Sequence, residues 1–98
     1  MTLIVYFQLG FNIRGGKEHY CGIFLSKVVP NSESNRIGLQ EGDQILSVNG
    51  QDFINIGHAE AVQILKNSID INMEVRYFPF GYRNTYEVEH AETYGFYR

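Results

Sequence analysis

Ninety-eight residues suffice for one domain with a modest core and little beyond it. Eight Lys and Arg stand against 11 Asp and Glu, and the resulting net charge of −3 argues against a nucleic-acid partner, which asks for a basic face, as the lack of a Lys/Arg run argues against direct membrane binding. No stretch approaches the length of a transmembrane helix, the apolar run Met1–Phe7 is too short and too poor in positive charge for a signal peptide, Asn-x-Ser/Thr is missing, and the single Cys21 excludes an internal disulfide, so the sequence predicts an intracellular, soluble module.

In chain order, Thr2–Tyr6 is rich in β-formers and predicts a first strand, abbreviated together with its loop over residues 1–7. Leu9–Arg14 alternates and predicts a second. Gly15-Gly16-Lys17-Glu18-His19-Tyr20 reads as a polar loop opened by two glycines. Ile23–Val29 predicts a third strand, ended by Pro30-Asn31-Ser32. Ser34–Ile37 allows one or two helical turns with Gly38 as C-terminal cap. Gln44–Val48 predicts a strand, Asn49-Gly50 a two-residue hairpin, and Asp52-Phe53 a stub of strand. His58–Asn67 is the clearest helix, with Ala59, Ala61, Val62, Ile64 and Leu65 as helix formers or apolar face. Asn72–Phe78 alternates again, Met73, Val75 and Tyr77 on one side, Glu74 and Arg76 on the other. The expected fold is mainly β with two helices: a small, partly open barrel of five to six strands over residues 1–80. Residues 81–98 form an acidic, tyrosine-rich tail (Tyr82, Tyr86, Glu87, Glu89, Glu92, Tyr94, Tyr97). Disorder is the default for such a tail, although Tyr86, Val88 and Phe96 offer apolar surface for a short packed element. Tyrosine phosphorylation beside these acidic residues is a further reading. The chain's own end is expected to be a poor self-ligand, because Arg98 cannot enter an apolar pocket.

The segment Gln8-Leu9-Gly10-Phe11 runs as a turn straight into the second strand. His58, Val62 and Leu65 share one helix face at i, i+4 and i+7. Together they offer a way to hold the end of another chain. The backbone N–H groups of Leu9, Gly10 and Phe11 take its carboxylate, the exposed strand edge takes its backbone, and an apolar groove takes its last side chain. A Cβ at Gly10 would strain the turn, though a tight turn alone would also account for the glycine. Leu9, Phe11, Ile13, Val62 and Leu65 are the candidate pocket, and equally candidate core. Such a wall favours Val, Leu or Ile at the ligand's end. Asp43, Arg36 and the Asn49-Gly50 hairpin read as structural. Enzyme chemistry is not indicated. There is no Gly-x-Ser-x-Gly and no His-Glu-x-x-His, and Gly10-x4-Gly15 continues as Gly16-Lys17-Glu18, which misses the phosphate-loop register. His19, Cys21, His58 and His90 are too scattered for a metal site. No catalytic residue, metal or cofactor is expected.

Four ordered blocks resemble a PDZ domain over residues 8 to 80. They are Leu9-Gly10-Phe11-Asn12-Ile13-Arg14-Gly15-Gly16, Gly22-Ile23-Phe24-Leu25-Ser26, Gly38-Leu39-Gln40-Glu41-Gly42-Asp43-Gln44-Ile45-Leu46-Ser47-Val48-Asn49-Gly50, and His58 through Lys66. The ending Arg76-Tyr77-Phe78-Pro79-Phe80 looks most like small proteins with a single PDZ domain. The resemblance implies a monomeric scaffold or adaptor module that binds C-terminal tails of membrane receptors, channels, transporters or adhesion proteins, and so sits at the plasma-membrane cortex or cell junctions. It places His58 where class I members carry the histidine that hydrogen-bonds a Ser or Thr two residues before the ligand's end. That implies a ligand of the form Ser/Thr-x-hydrophobic-COOH. Asn12 and Ser26 lie where ligand side chains one and three places before the end pass. Arg14 and Lys27 flank them, either favouring acidic residues upstream or simply solvated. The sequence departs from the family before the turn, where no positive charge precedes Arg14, and weaker hold on a carboxylate is expected. The alternative is a PDZ-like domain used for internal motifs, self-association or lipid headgroups.

Overall fold

The structure, a computed structural model, describes residues 2–4, 9–86 and 93–96. Among these residues, seven strands form one open sheet: β1 (Thr2–Ile4), β2 (Phe11–Gly16), β3 (Cys21–Val28), β4 (Asp43–Val48), β5 (Gln51–Asp52), β6 (Asp70–Tyr77) and β7 (Thr93–Phe96). Their order is β1-β6-β4-β3-β2-β7, with β5 paired to β4. Three α-helices accompany them, α1 (Glu33–Arg36), α2 (His58–Asn67) and α3 (Pro79–Thr85), besides one 3-10 turn at Lys17–His19. The open, mainly β architecture is the expected one. Val5 and Tyr6, expected to continue the first strand, lie outside the described residues.

Local chemistry explains most boundaries. Ser32 caps α1, its Oγ accepting the Asn35 N–H at 3.2 Å, as short hydroxyl side chains do at helix starts. Gly38, at φ +91°, follows its end, in the left-handed conformation that glycine reaches without cost. Asn49 and Gly50 both have positive φ, +51° and +80°, the signature of the tight hairpin turn expected there. The Asn49 side chain ties that turn to β6, accepting from Asn72 N–H at 2.8 Å and donating to the Asp70 carbonyl at 3.0 Å. Along β6, Ile71 and Met73 are buried between exposed Asp70, Asn72 and Glu74. Asp43 accepts the Gln40 N–H at 3.0 Å, and Arg36 pairs with Glu33 across one exposed turn; both have the structural roles read from the sequence. Burial holds the Asp43 carboxyl above its usual range, against that bond.

Three elements depart from expectation. Gly15 and Gly16 continue β2 instead of opening a loop. A Cβ on Gly15, at φ +100°, would strike the Gly22 carbonyl, so the glycine pair lets β2 and β3 stay close through two register shifts. The second departure is α3, which runs across residues 80 and 81, where domain was expected to give way to tail. It starts with Pro79 in its first turn. It buries Tyr82 and Thr85 and stacks Tyr82 against Phe24 at 6.1 Å between ring centroids. The Tyr82 hydroxyl lies 2.7 Å from Glu41 Oε2 and 2.5 Å from the Tyr86 hydroxyl. Burial, then those two neighbours, push its pKa up. The third is β7, placed antiparallel on the outer edge of β2.

The core gathers Leu9, Phe11, Ile13, Leu25, Ile45, Val48, Phe53, Ile71 and Met73 under α2, which adds Ala61, Val62 and Leu65. With His58, these α2 residues form the buried stripe at i, i+3, i+4 and i+7.

Candidate functional site

The turn before β2 is held from behind. The Leu9 carbonyl accepts from Ser34 through both its N–H, at 3.3 Å, and its hydroxyl. The Gly10 carbonyl accepts the Val29 N–H at 2.8 Å and the Ser32 hydroxyl at 3.5 Å. Tying both carbonyls toward α1 turns the amides the other way. Among the described residues, the N–H groups of Leu9 and Gly10 meet no acceptor, which suits them to an incoming anion. Gly10 has φ +76°, and a Cβ there would overlap the Ser32 side chain. The strain expected of a side chain here is therefore present, and the Ser32 side chain adds a steric bar. Ser32 and Ser34 were missed as supports of the turn. The Ser-x-x-Asn cap signal was legible; the bonds from Ser34 to Leu9 and from Ser32 to Gly10 depend on tertiary contact.

The five expected pocket residues come together. Leu9, Phe11, Ile13, Val62 and Leu65 are all buried and belong to one cluster. This cluster lies where α2 packs on β2.

His58 stands at the first position of α2, 3 % exposed. Its Nδ1 lies 2.7 Å from the Gly15 carbonyl oxygen. A carbonyl only accepts, so Nδ1 carries the hydrogen of this bond. The bond fixes the ring between helix and strand. Its backbone is held too, since the Glu18 carboxylate accepts the His58 N–H at 3.0 and 3.3 Å, a favourable place for an anion at a helix start. Sequence reading left Glu18 in a polar loop, because 40 positions separate it from the helix it caps. Burial raises the Glu18 pKa, but N–H bonds from its own backbone and from His58 outweigh that, so it titrates below the usual carboxylate range. A group with a depressed folded pKa stabilises above its unfolded pKa, and that contribution is lost as pH falls through the folded value. Glu18→Gln is thus expected to narrow the loss of stability between neutral pH and about pH 3, measured by urea unfolding at each. An unchanged difference would remove Glu18 as an acid-sensitive support of α2.

The flanking residues divide. Lys27 is exposed. Among the described residues, Asn12 Oδ1 and Ser26 Oγ are buried without a hydrogen-bond partner. Arg14 is half-buried and held by partners within the chain. Its Nε donates to Thr85 Oγ1 at 3.0 Å, Nη2 to the Thr85 carbonyl at 3.2 Å and Nη1 to Thr93 Oγ1 at 3.1 Å, and its guanidinium lies 4.2 Å from the centre of the Tyr86 ring. Arg14 therefore joins β2, α3 and β7.

β7 itself lies along the outer edge of β2. The register pairs Phe11 with Phe96, Asn12 with Gly95, Ile13 with Tyr94 and Arg14 with Thr93. Tyr94 packs on the core cluster, and Lys66 of α2 sits 4.8 Å above its ring centre. Residues 93–96 occupy the edge, and Phe96 takes the position across from Phe11. Tyr97 and Arg98 lie outside the described residues, as do Glu87, Val88, Glu89, His90 and Glu92 of the expected tail.

The family pattern for the PDZ domain matches residues 6–76. The chain is 61% identical over 80 residues to PDZ domain-containing protein 11 of Danio rerio and 58% identical over 80 residues to that of Homo sapiens, 82% of this chain in each case. The stretch spans only 56% and 57% of those relatives, so the chain covers about half their length. It is also 50% identical over 69 residues to whirlin of Mus musculus, covering 70% of this chain and 8% of whirlin. Among solved structures, the second PDZ domain of Dlg1 from the choanoflagellate Monosiga brevicollis superposes with a TM-score of 0.69 at 36% identity, covering 82% of this chain and 94% of that one. The kinship read from the Arg76–Phe80 ending agrees with these relatives. Matched in sequence over most of its length and in architecture to a solved member, the chain belongs to the PDZ domain family, whose members are protein-interaction modules that bind peptide partners.

Proposed function

We propose that this domain binds C-terminal peptides of the form Ser/Thr-x-hydrophobic-COOH by strand addition to β2. The observation that carries the reading is the pairing of an extended segment on the β2 edge, antiparallel and directed toward the Leu9-Gly10 turn. A bound tail in the same polarity brings its carboxylate to the Leu9 and Gly10 N–H groups, and that of Phe11 completes the set. Its last side chain enters among Leu9, Phe11, Ile13, Val62 and Leu65, which is worth roughly 1.5–3 kcal/mol for a buried aliphatic group. Its Ser or Thr, two places earlier, hydrogen-bonds the His58 imidazole. The partners are tails of membrane receptors, channels, transporters or adhesion proteins, which would hold the domain at the membrane cortex or cell junctions. The interface is small, so the complexes are transient.

Fluorescence polarisation with labelled peptides tests this. A peptide ending in Thr-Ala-Val is expected to bind saturably. Amidating its end removes charge-assisted bonds of about 1.5–3 kcal/mol and is expected to weaken binding roughly 10- to 150-fold. Replacing its Thr with Ala removes one neutral bond, about 0.5–1.5 kcal/mol, for a loss of roughly 2- to 12-fold. A second reading, recognition of internal motifs, is favoured by one feature: the strand on β2 does not end at Phe96, since two residues follow it. Equal binding of acid and amide would select that reading and reject the first.

A further inference from the structure

The strand on β2 has a consequence for how the groove is regulated. β2 has two edges; β3 takes one and β7 the other, so no backbone edge is left there for an incoming tail. The register gives Phe96 the place across from Phe11, where the last residue of a bound tail would stand, and gives Tyr94 the place across from Ile13, two residues earlier. The second is the position of the ligand's Ser or Thr in the proposed function, on which this inference rests. Side-chain contacts hold the segment from both walls of the groove. Lys66 reaches over Tyr94 from α2, and Arg14 donates to Thr93 from β2 while it anchors on Thr85 at the end of α3. The tether between Thr85 and Thr93 is short, and a short tether gives the segment an effective concentration in the range of about millimolar. Even a weak fit is then populated.

We propose that residues 93–96 are an internal competitor, a pseudo-ligand bound in cis, and that a partner's tail binds only when they leave the β2 edge. Closed domain and free tail exchange through an open form, and the apparent affinity falls by the open fraction. The device sets a threshold: tails that lack either the carboxylate or the Ser/Thr do not displace β7. The competitor itself has no free carboxylate at Phe96, so a tail that brings one gains the Leu9 and Gly10 bonds that β7 leaves unused.

The test uses the full chain with two variants in the strand. Tyr94→Asp puts a charge against the core cluster, and Tyr94→Gly leaves the strand interior no side chain to pack there. Hydrogen exchange without any peptide is read first. In the native chain the amides of β2 and of residues 93–96 are expected to be protected together; in both variants that protection falls while β4 and β6 stay protected. The peptide ending in Thr-Ala-Val is then expected to bind both variants roughly tenfold more tightly than the native chain. Unprotected β2 and 93–96 amides in the native chain would overturn the proposal, and so would equal peptide affinity in native chain and variants. Protection that grows with protein concentration would move the competitor to a second copy and overturn the cis form. Coupled protection lost in the variants, with no tail binding to any of them, would leave the strand in place and reject the proposed ligand class instead.

Discussion

Phe11→Ala is expected to cost about 3–5 kcal/mol of stability and to abolish binding of the Thr-Ala-Val peptide. Phe11 is fully buried and belongs to the cluster that also contains Leu9, Ile13, Leu25, Val62 and Leu65. Its removal loses the transfer energy of a whole ring and leaves a cavity that a β-strand, pinned on both sides by β3 and β7, cannot collapse to fill. A domain of this size holds on the order of 5–15 kcal/mol in total, so the loss is a large share of it. Each kcal/mol lowers Tm by about 4–8 °C, so a fall well beyond ten degrees is expected, with the urea m-value unchanged. In the proposed function the same ring floors the peptide groove, so the variant loses binding even at temperatures where it stays folded. A stability loss under about 1 kcal/mol would mean that Phe11 is not the packed centre of this cluster.

Gly10→Val is the second large effect, expected at about 2–5 kcal/mol from two sources. A β-branched residue at φ +76° carries the left-handed backbone penalty of about 1–2 kcal/mol. Its Cβ also overlaps the Ser32 side chain, and overpacking costs about 1–3 kcal/mol. Relief of that overlap pushes the turn away from α1, breaks the bonds that hold the Leu9 and Gly10 carbonyls and misaims the N–H groups, so carboxylate-dependent binding is lost as well. The two sources separate in a double-mutant cycle. Gly10→Ala is expected to cost less in a Ser32→Gly background, because only the backbone strain remains; additive costs would show that the overlap does not matter.

How far the site was legible depends on the range of the physics behind each part. The helical spacing of His58, Ala61, Val62 and Leu65 is a local periodicity, and those residues are the buried face of α2. The Asn49-Gly50 turn and the Gly38 cap follow from backbone conformations that few residues tolerate, and both have the positive φ expected. The alternation of β6 appears as alternating burial around Ile71 and Met73. By contrast, nothing near Glu18 marks it as the acceptor for His58 N–H, and Arg14 reads as an ordinary surface charge until Thr85 and Thr93 are brought to it from 71 and 79 positions away.

The sequence by itself determined the mainly β class, the turn at Gly10, the apolar cluster from Leu9 to Leu65 and the family pattern that joins them, because each rests on short-range spacing or on residues with restricted backbone freedom. Tertiary structure decided the rest. Gly15 and Gly16 are strand and not loop because β3 lies so close that a Cβ would strike the Gly22 carbonyl. α3 forms because Tyr82 finds Phe24, Glu41 and Tyr86. Thr93–Phe96 is a strand because β2 offers it an unpaired edge; four residues are too few to announce a strand alone, and pairing between distant segments is set by which edge remains open once the other strands have closed around the core.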